Sequence, residues 1–319
     1  MISHPIVSVI MSVYKEPIDW LKQSIDSILN QTFHDFEFII ICDNPAYTEV
    51  KTLLEEYRNK DERIVIIYNE ENIGLTKSLN KGLEVSKGDF IARMDADDIS
   101  VPKRLEKQIK FLSDHPEVGV CGSNISYFGS QKGENSYPPS MDDVHLFLES
   151  CFAHPTVLIR RQALGANRYN EKCIVSQDYN LWVDLFEQGV IFANIQEFLL
   201  NYRYSSQQIM STKNDLQIKT SQEIRRKAIG VYYKKSNREI TYDISNWQFD
   251  YANVLIRDLV ISEKSVRSMI WYYSFLSVDK SLLWLLYTLI LRGYLFRIPF
   301  IDSARLLYFK IKGVRMPKF

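Results

Sequence analysis

Much of what would mark a chain for a particular class is missing here. The four cysteines, Cys42, Cys121, Cys151 and Cys173, are widely spaced and form no CxxC pair. They read as ordinary reduced cysteines of a cytosolic protein, not as a disulfide framework. No apolar run is long enough to span a bilayer, which takes roughly 20 residues. The longest, "SLLWLLYTLIL" (281–291), stops at Arg292. The opening "MISHPIVSVIMSVYKEP" lacks a basic leader and enters a strand pattern at once, so a signal peptide is not expected. There is no internal repeat and no low-complexity stretch.

Net charge is also absent, since 39 Lys+Arg balance 39 Asp+Glu, but the balance is uneven along the chain. Residues 1–215 hold 21 Lys+Arg against 31 Asp+Glu, a net of −10, and residues 216–319 hold 18 against 8, a net of +10. An acidic body with a basic tail suggests that the tail meets an anionic surface or docks on the body itself. What is plentiful is apolar: 46% of the 319 residues are hydrophobic, enough for a sizeable core in one large domain with an appendage, or in two.

Strand and helix patterns alternate from the start. "IVSVIMSVY" (6–14), "FEFIIICD" (36–43), "RIVIIYN" (63–69) and "DFIARMD" (89–95) are near-continuous apolar strands. Between them, 18–31, 48–60 and 74–86 carry helical spacing, the first with Leu21, Ile25, Ile28 and Leu29 on one face. Such strands separated by helices predict an α/β fold with a mostly parallel sheet, covered on both faces. A helix follows Pro102, with Ser100 as its expected cap. Residues 118–129 read as a strand, 129–140 as a loop, and the chain beyond about 214 as helices, including 215–235, 248–277 and 279–296.

Ligands of such sheets bind beyond the carboxyl ends of the strands. "SVYKE", Asp43 and the cluster Asp95, Asp97, Asp98 all fall there. Closely spaced carboxylates are favourable when a divalent cation sits between them, and hard oxygen ligands suit Mg²⁺ or Mn²⁺ completed by substrate phosphates. The other reading of the cluster is a solvated acidic loop. Further along, "VSQDYNLWVDL" offers a helix with Ser176 as cap, Asp178 in its first turn, and Leu181, Trp182 and Leu185 on an apolar face.

An ordered set of segments then resembles the family 2 inverting glycosyltransferases of the GT-A fold. The segments are "VSVIMSVYKE" (7–16), "SIDSILNQTFHDFEFIIICD" (24–43), "NIGLTKSLNKGLEVSKGDFIARMDADDISVPKRLEKQ" (72–108), "HPTVLIRR" (154–161), "YNEKCIVSQDYNLWVDL" (169–185) and "NYRYSSQQIMS" (201–211). They cover about two-thirds of the chain, which becomes a catalytic domain over 1–215 and a basic, mainly helical region over 216–319. In style the set is similar to bacterial enzymes that add single sugars to lipooligosaccharide and capsule.

The resemblance implies a UDP-sugar donor and a divalent metal, Mn²⁺ or Mg²⁺. It implies that Tyr14 packs on the nucleobase, that Glu16 orders that loop, and that Asp43 accepts the uracil N3–H, with Cys42 standing where many relatives have another acid. Gly74 and Lys77 fall near the nucleotide. Arg93 neutralises phosphate or braces the acids, Asp97 and Asp95 hold the metal, and Asp98 anchors the loop. Asp178 is implied as the base that takes the acceptor proton, with Gln177 in place of a common Glu. His154 and Trp182 fall toward the acceptor side, and Arg203 belongs to a pair that often faces the diphosphate.

A processive synthase is not expected, because QxxRW is absent. A nucleotidyltransferase should carry a glycine-rich basic loop after the first strand, and "SVYKEP" is not one. The alternative of another class is a non-catalytic nucleotide-sugar-binding scaffold. The expected acceptor is a glycan or lipid-linked saccharide, with residues 279–319 resting on the inner face of the cell membrane. Nucleic acid is not an expected partner; a homodimer is open.

Overall fold

The computed structural model describes residues 4–140, 150–205 and 214–235. The chain divides into two compact units, 1–237 and 238–319, and only the first contains described residues. The sequence expectations for helices over 248–277 and 279–296, and for a membrane-contacting tail at 279–319, lie outside them.

The first half is a parallel α/β unit. Strand β1 (Val7–Val13) lies at its centre, flanked by β2 (Phe36–Cys42) and β4 (Phe90–Asp95), with β3 (Ile64–Tyr68) outside β2. Every residue of β1 and β2 is buried, which is why both read as unbroken apolar runs with no alternation. Helix α1 (Ile18–Leu29) buries Leu21, Ile25 and Ile28, and Leu29 packs partly against the same core. Helices α2 (Thr48–Lys60) and α3 (Leu75–Val85) make the other two crossovers. Gly82 lets α3 approach the sheet closely: a Cβ there would lie 2.6 Å from a methyl of Ile10 and 3.0 Å from one of Ile41.

The second half of the sheet is mixed. Beyond β4 come β8 (Leu158–Arg160), β6 (Val118–Gly129), β9 (Ile191–Tyr204) and the two-residue β5 (Ile99–Ser100), in that spatial order. Strand β8 runs antiparallel to both neighbours, β9 runs parallel to β6, and β5 runs antiparallel to β9. The expected loop at 129–140 contains a short strand, β7 (Gly133–Asn135), which folds back on β6 as a hairpin. Helix α4 (Arg104–Asp114) follows β5. Ser100 does not cap it: Lys103 occupies the cap position, and Ser100 belongs to β5, where its N–H donates to Ser27 Oγ. Helix α5 (Arg161–Leu164) is a single turn, α6 (Gln177–Glu187) carries the second set of site residues, and α7 (Asn214–Lys235) packs beside α6. Lys227 pairs with Asp184, and Ser221 Oγ lies 3.0 Å from Ser176 Oγ.

Candidate active site

Register brings the separated motifs to one edge. Ser12 of β1 faces Asp95 of β4, and Val13 of β1 faces Cys42 of β2. The residues that follow, Tyr14, Asp43 and the acids after Met94, therefore leave the sheet on the same side.

The acidic loop is built from inside and outside at once. Arg93, buried in β4, donates through Nη2 to Asp95 Oδ1. Ser24 of α1 donates to the Asp95 carbonyl at 2.7 Å. Asp97 is half-exposed. Asp98 is fully buried; its Oδ1 accepts the Arg203 N–H at 2.8 Å, while Oδ2 has no partner among the described residues. Burial, then the charges of Asp95 and Asp97, push the Asp98 carboxyl well above its ordinary range. Beneath the loop lies Arg104, fully buried, whose guanidinium donates to the carbonyls of Pro155 and Arg93. Burial lowers it to about 10. Arg104 was not singled out in the sequence, although it shares the buried face of α4 with Gln108 and Leu112, four and eight residues on. A charge on a helix's apolar face was the available signal.

The acids fit a hard divalent cation. Asp95, Asp97 and Asp98 offer oxygens that all lie within 4.8 Å of one another. Asp98 Oδ2 is buried with no hydrogen-bond partner among the described residues, a costly state that a bound cation would relieve. Asp95 keeps its second oxygen and Asp97 is accessible, which is the donor set expected of a site that leaves room for phosphate.

At the other end of the edge, Glu16 accepts the Tyr14 N–H at 2.7 Å, ordering the turn after β1. Burial raises the Glu16 carboxyl despite that bond. The Tyr14 ring is exposed and its carbonyl receives Asn44 Nδ2. Asp43 is buried and already engaged: Oδ1 accepts from Asn69 Nδ2 and the Ile73 N–H, and Oδ2 from the Gly74 N–H at 2.9 Å. It fastens the loop that starts α3, and a base N–H would use the remaining capacity of Oδ2. Gly74 holds φ +84 at the α3 N-terminus, and Lys77 in the first turn is exposed.

The third group comes from the second half of the chain. Asp178 stands in the first turn of α6, half-buried, with Ser150 Oγ donating to its Oδ2 at 3.2 Å. Desolvation raises its carboxyl; the Tyr179 N–H and Ser150 oppose this, and the Asp95 charge adds to it, so the two acids share one electrostatic field. Ser176 occupies the cap position of α6 at φ 55 but makes no side-chain cap. His154 Nε2 lies 2.8 Å from the Tyr169 hydroxyl, and burial with the nearby Arg93 charge holds the imidazole well below its usual value.

Trp182 is fully buried, edge-on to Phe152, His154 and Phe192, and packs in the core beneath α6. Its neighbour Gln177 is also buried. Arg203 donates through Nε to the Asp97 carbonyl at 2.6 Å and through Nη2 to Gln23 at 2.7 Å, with its guanidinium over the rings of Trp20 and Phe128.

Residues 8–167 match the description "Glycosyl transferase family 2". A glycosyltransferase of Methanocaldococcus jannaschii is 40% identical over 206 residues, which is 62% of this chain and 71% of that protein. The amylovoran biosynthesis glycosyltransferase AmsE of Erwinia amylovora is 32% identical over 225 residues, 69% of this chain and 84% of its own. Among solved structures, S. aureus TarS 1–349 in complex with UDP-GlcNAc superposes with a TM-score of 0.59 at 16% identity, over 84% of this chain and 80% of that one. That likeness shows the GT-A fold, and with the match over half the chain the protein belongs to glycosyl transferase family 2.

Proposed function

We propose that this glycosyltransferase moves a single sugar, a hexose or N-acetylhexosamine, from a UDP-sugar to a hydroxyl of a glycan or lipid-linked saccharide, with inversion, in surface polysaccharide biosynthesis. The observation that carries the reading is the meeting of two acid groups with opposite tasks. Asp95 and Asp97 lie in a crowded anionic loop at the strand edge, and Asp178, raised by desolvation, lies within reach of that loop's field. A carboxylate kept basic beside a diphosphate-binding edge is what in-line attack by a hydroxyl requires.

Tyr14 supports the nucleobase face and Glu16 holds its turn. Asp43 fixes the Gly74 loop beside it. Asp95 and Asp97 would hold Mn²⁺ or Mg²⁺, which when bound supplies positive charge to the departing diphosphate. Arg93 orients the Asp95 carboxylate through Nη2. Asp178 takes the acceptor proton, and Ser150 fixes the carboxylate's rotamer. The names of AmsE and of TarS with UDP-GlcNAc support a polysaccharide acceptor and a UDP-sugar donor by similarity. The basic segment 279–319 would hold the enzyme at a membrane carrying the acceptor.

The test is UDP release with a panel of UDP-sugars, Mn²⁺ and glycolipid acceptors. Asp97→Ala should abolish metal-dependent UDP binding and release; release unchanged in that variant would sink the reading. Liposome flotation of the full chain against one ending at 278 checks the tail, with equal flotation counting against membrane contact.

A further inference from the structure

Arg203 is tied to the acid loop in a way the proposed chemistry does not use. It lies on β9, 106 residues from Asp97 in sequence, yet two of its donors reach the loop: Nε to the Asp97 carbonyl and the backbone N–H to Asp98 Oδ1. A third, Nη2, goes to Gln23 on α1. The guanidinium plane is held by Phe128 on one strand and Trp20 on the helix, at 4.3 and 4.7 Å. Next to it, β5 pairs with β9 through Ile99 and Asn201. The loop that carries the acids is thus fastened to β9 on its outer side, as Arg93 and Ser24 fasten it on the inner.

We infer that Arg203 is a positioning residue: through the Asp97 carbonyl it sets the direction in which the Asp97 carboxylate faces the cation. The inference rests on the metal reading above. Only a planar fork satisfies all of its partners. Nε and Nη2 point to acceptors on different elements while the guanidinium lies over two rings, and the single ammonium of lysine cannot reach both acceptors in that geometry. Outer contacts that orient a metal ligand are typically worth about 10- to 100-fold in metal affinity.

Charge alone predicts the reverse. Arg203 is a cation beside carboxylates, so its removal as a mere charge would tighten cation binding. The experiment is an electron paramagnetic resonance titration of Mn²⁺ with UDP, on the full chain, alongside thermal melts. Wild type, Arg203→Met, Arg203→Lys and a control, Arg63→Met, are compared. Arg63 is a comparable stacked arginine far from the acids, fixed by Asp61, the Leu29 carbonyl and the Phe36 ring. The expected result is Mn²⁺ binding weakened about 10- to 100-fold in both Arg203 variants, with Arg63→Met melting lower but binding Mn²⁺ as wild type does. Unchanged or tighter Mn²⁺ binding in Arg203→Met overturns the inference, as does equal weakening in Arg63→Met. If Arg203→Met does not fold, Gln23→Ala decides: a loss of about threefold supports the clamp, and unchanged affinity overturns it. No Mn²⁺ binding by wild type would remove the metal reading, and this inference with it; a loss confined to the variants' ratio to wild type concerns Arg203 alone.

Discussion

Replacing Asp178 by Asn keeps the shape of the side chain and removes its basicity. If the carboxylate takes the acceptor proton, kcat should fall by about 10²- to 10⁴-fold, the usual contribution of a placed general base. At 1.36 kcal/mol per decade that is about 2.7–5.4 kcal/mol of barrier. The structure predicts that stability moves the other way. Desolvation, the largest influence on Asp178, and the Asp95 charge raise its folded value above 3.8. The native state therefore holds the proton more tightly than the unfolded chain does. Ionisation costs the native state nothing below pH 3.8 and its full amount above the folded value, so the wild type carries that cost at neutral pH and Asn does not. Melting at pH 7 should show Asp178→Asn as stable as wild type or more so, with the gap closing toward pH 4. The same shift places the acidic limb of the wild-type kcat/KM profile above 3.8, rising with pH as the base ionises. UDP release assays with saturating metal, run beside thermal melts, test all of this. Activity above a tenth of wild type would place the base elsewhere. A lower melting temperature at pH 7 would make the carboxylate a structural anchor of α6.

Gly74→Ala should cost about 1–3 kcal/mol because φ +84 with ψ 161 is a conformation that essentially only glycine adopts. Among the described residues nothing lies within 4 Å of the added Cβ, so the cost is conformational and not steric. Melting should fall by about 2–8 °C with weaker UDP binding by calorimetry, since Asp43 holds this turn; unchanged values would mean that the turn relaxes freely. Trp182→Ala should lose about 3–5 kcal/mol in denaturant unfolding, as a fully buried ring does. A raised acceptor KM with stability intact would instead place Trp182 on the acceptor side.

The parallel half of the fold was legible because its signals are local. Strands β1 to β4 are apolar along their length and each helix between them shows its own face. The strand ends, and so Tyr14, Asp43 and the acids, followed from the pattern. The second half was harder. Strand β9 spans fourteen residues but reads IFANIQEFLLNYRY, with Gln196 and Glu197 in its middle, where its pairing with β6 also shifts register. Periodicity fails where a bulge changes which side faces the core. Ser100 shows a similar limit: its composition suits a cap, but pairing with β9 draws the residue into a strand, and the helix starts four residues later.

The site divides along the same line. The residues proposed for the chemistry were readable in place, because carboxylates after an apolar strand have few other uses. Residues that hold those carboxylates were not. Arg93 is two positions from its partner Asp95 and was readable as a brace. Arg104 donates to carbonyls of Arg93 and Pro155, and Arg203 to a carbonyl of Asp97, and contacts between a side chain and distant backbone leave no pattern in a sequence. Asp97 and Arg203 stand 106 residues apart, and Pro155 stands 51 residues beyond Arg104. Such contacts form only once β9 and α4 have folded against the loop, so the residues that hold the acids become visible only with the sheet assembled around them.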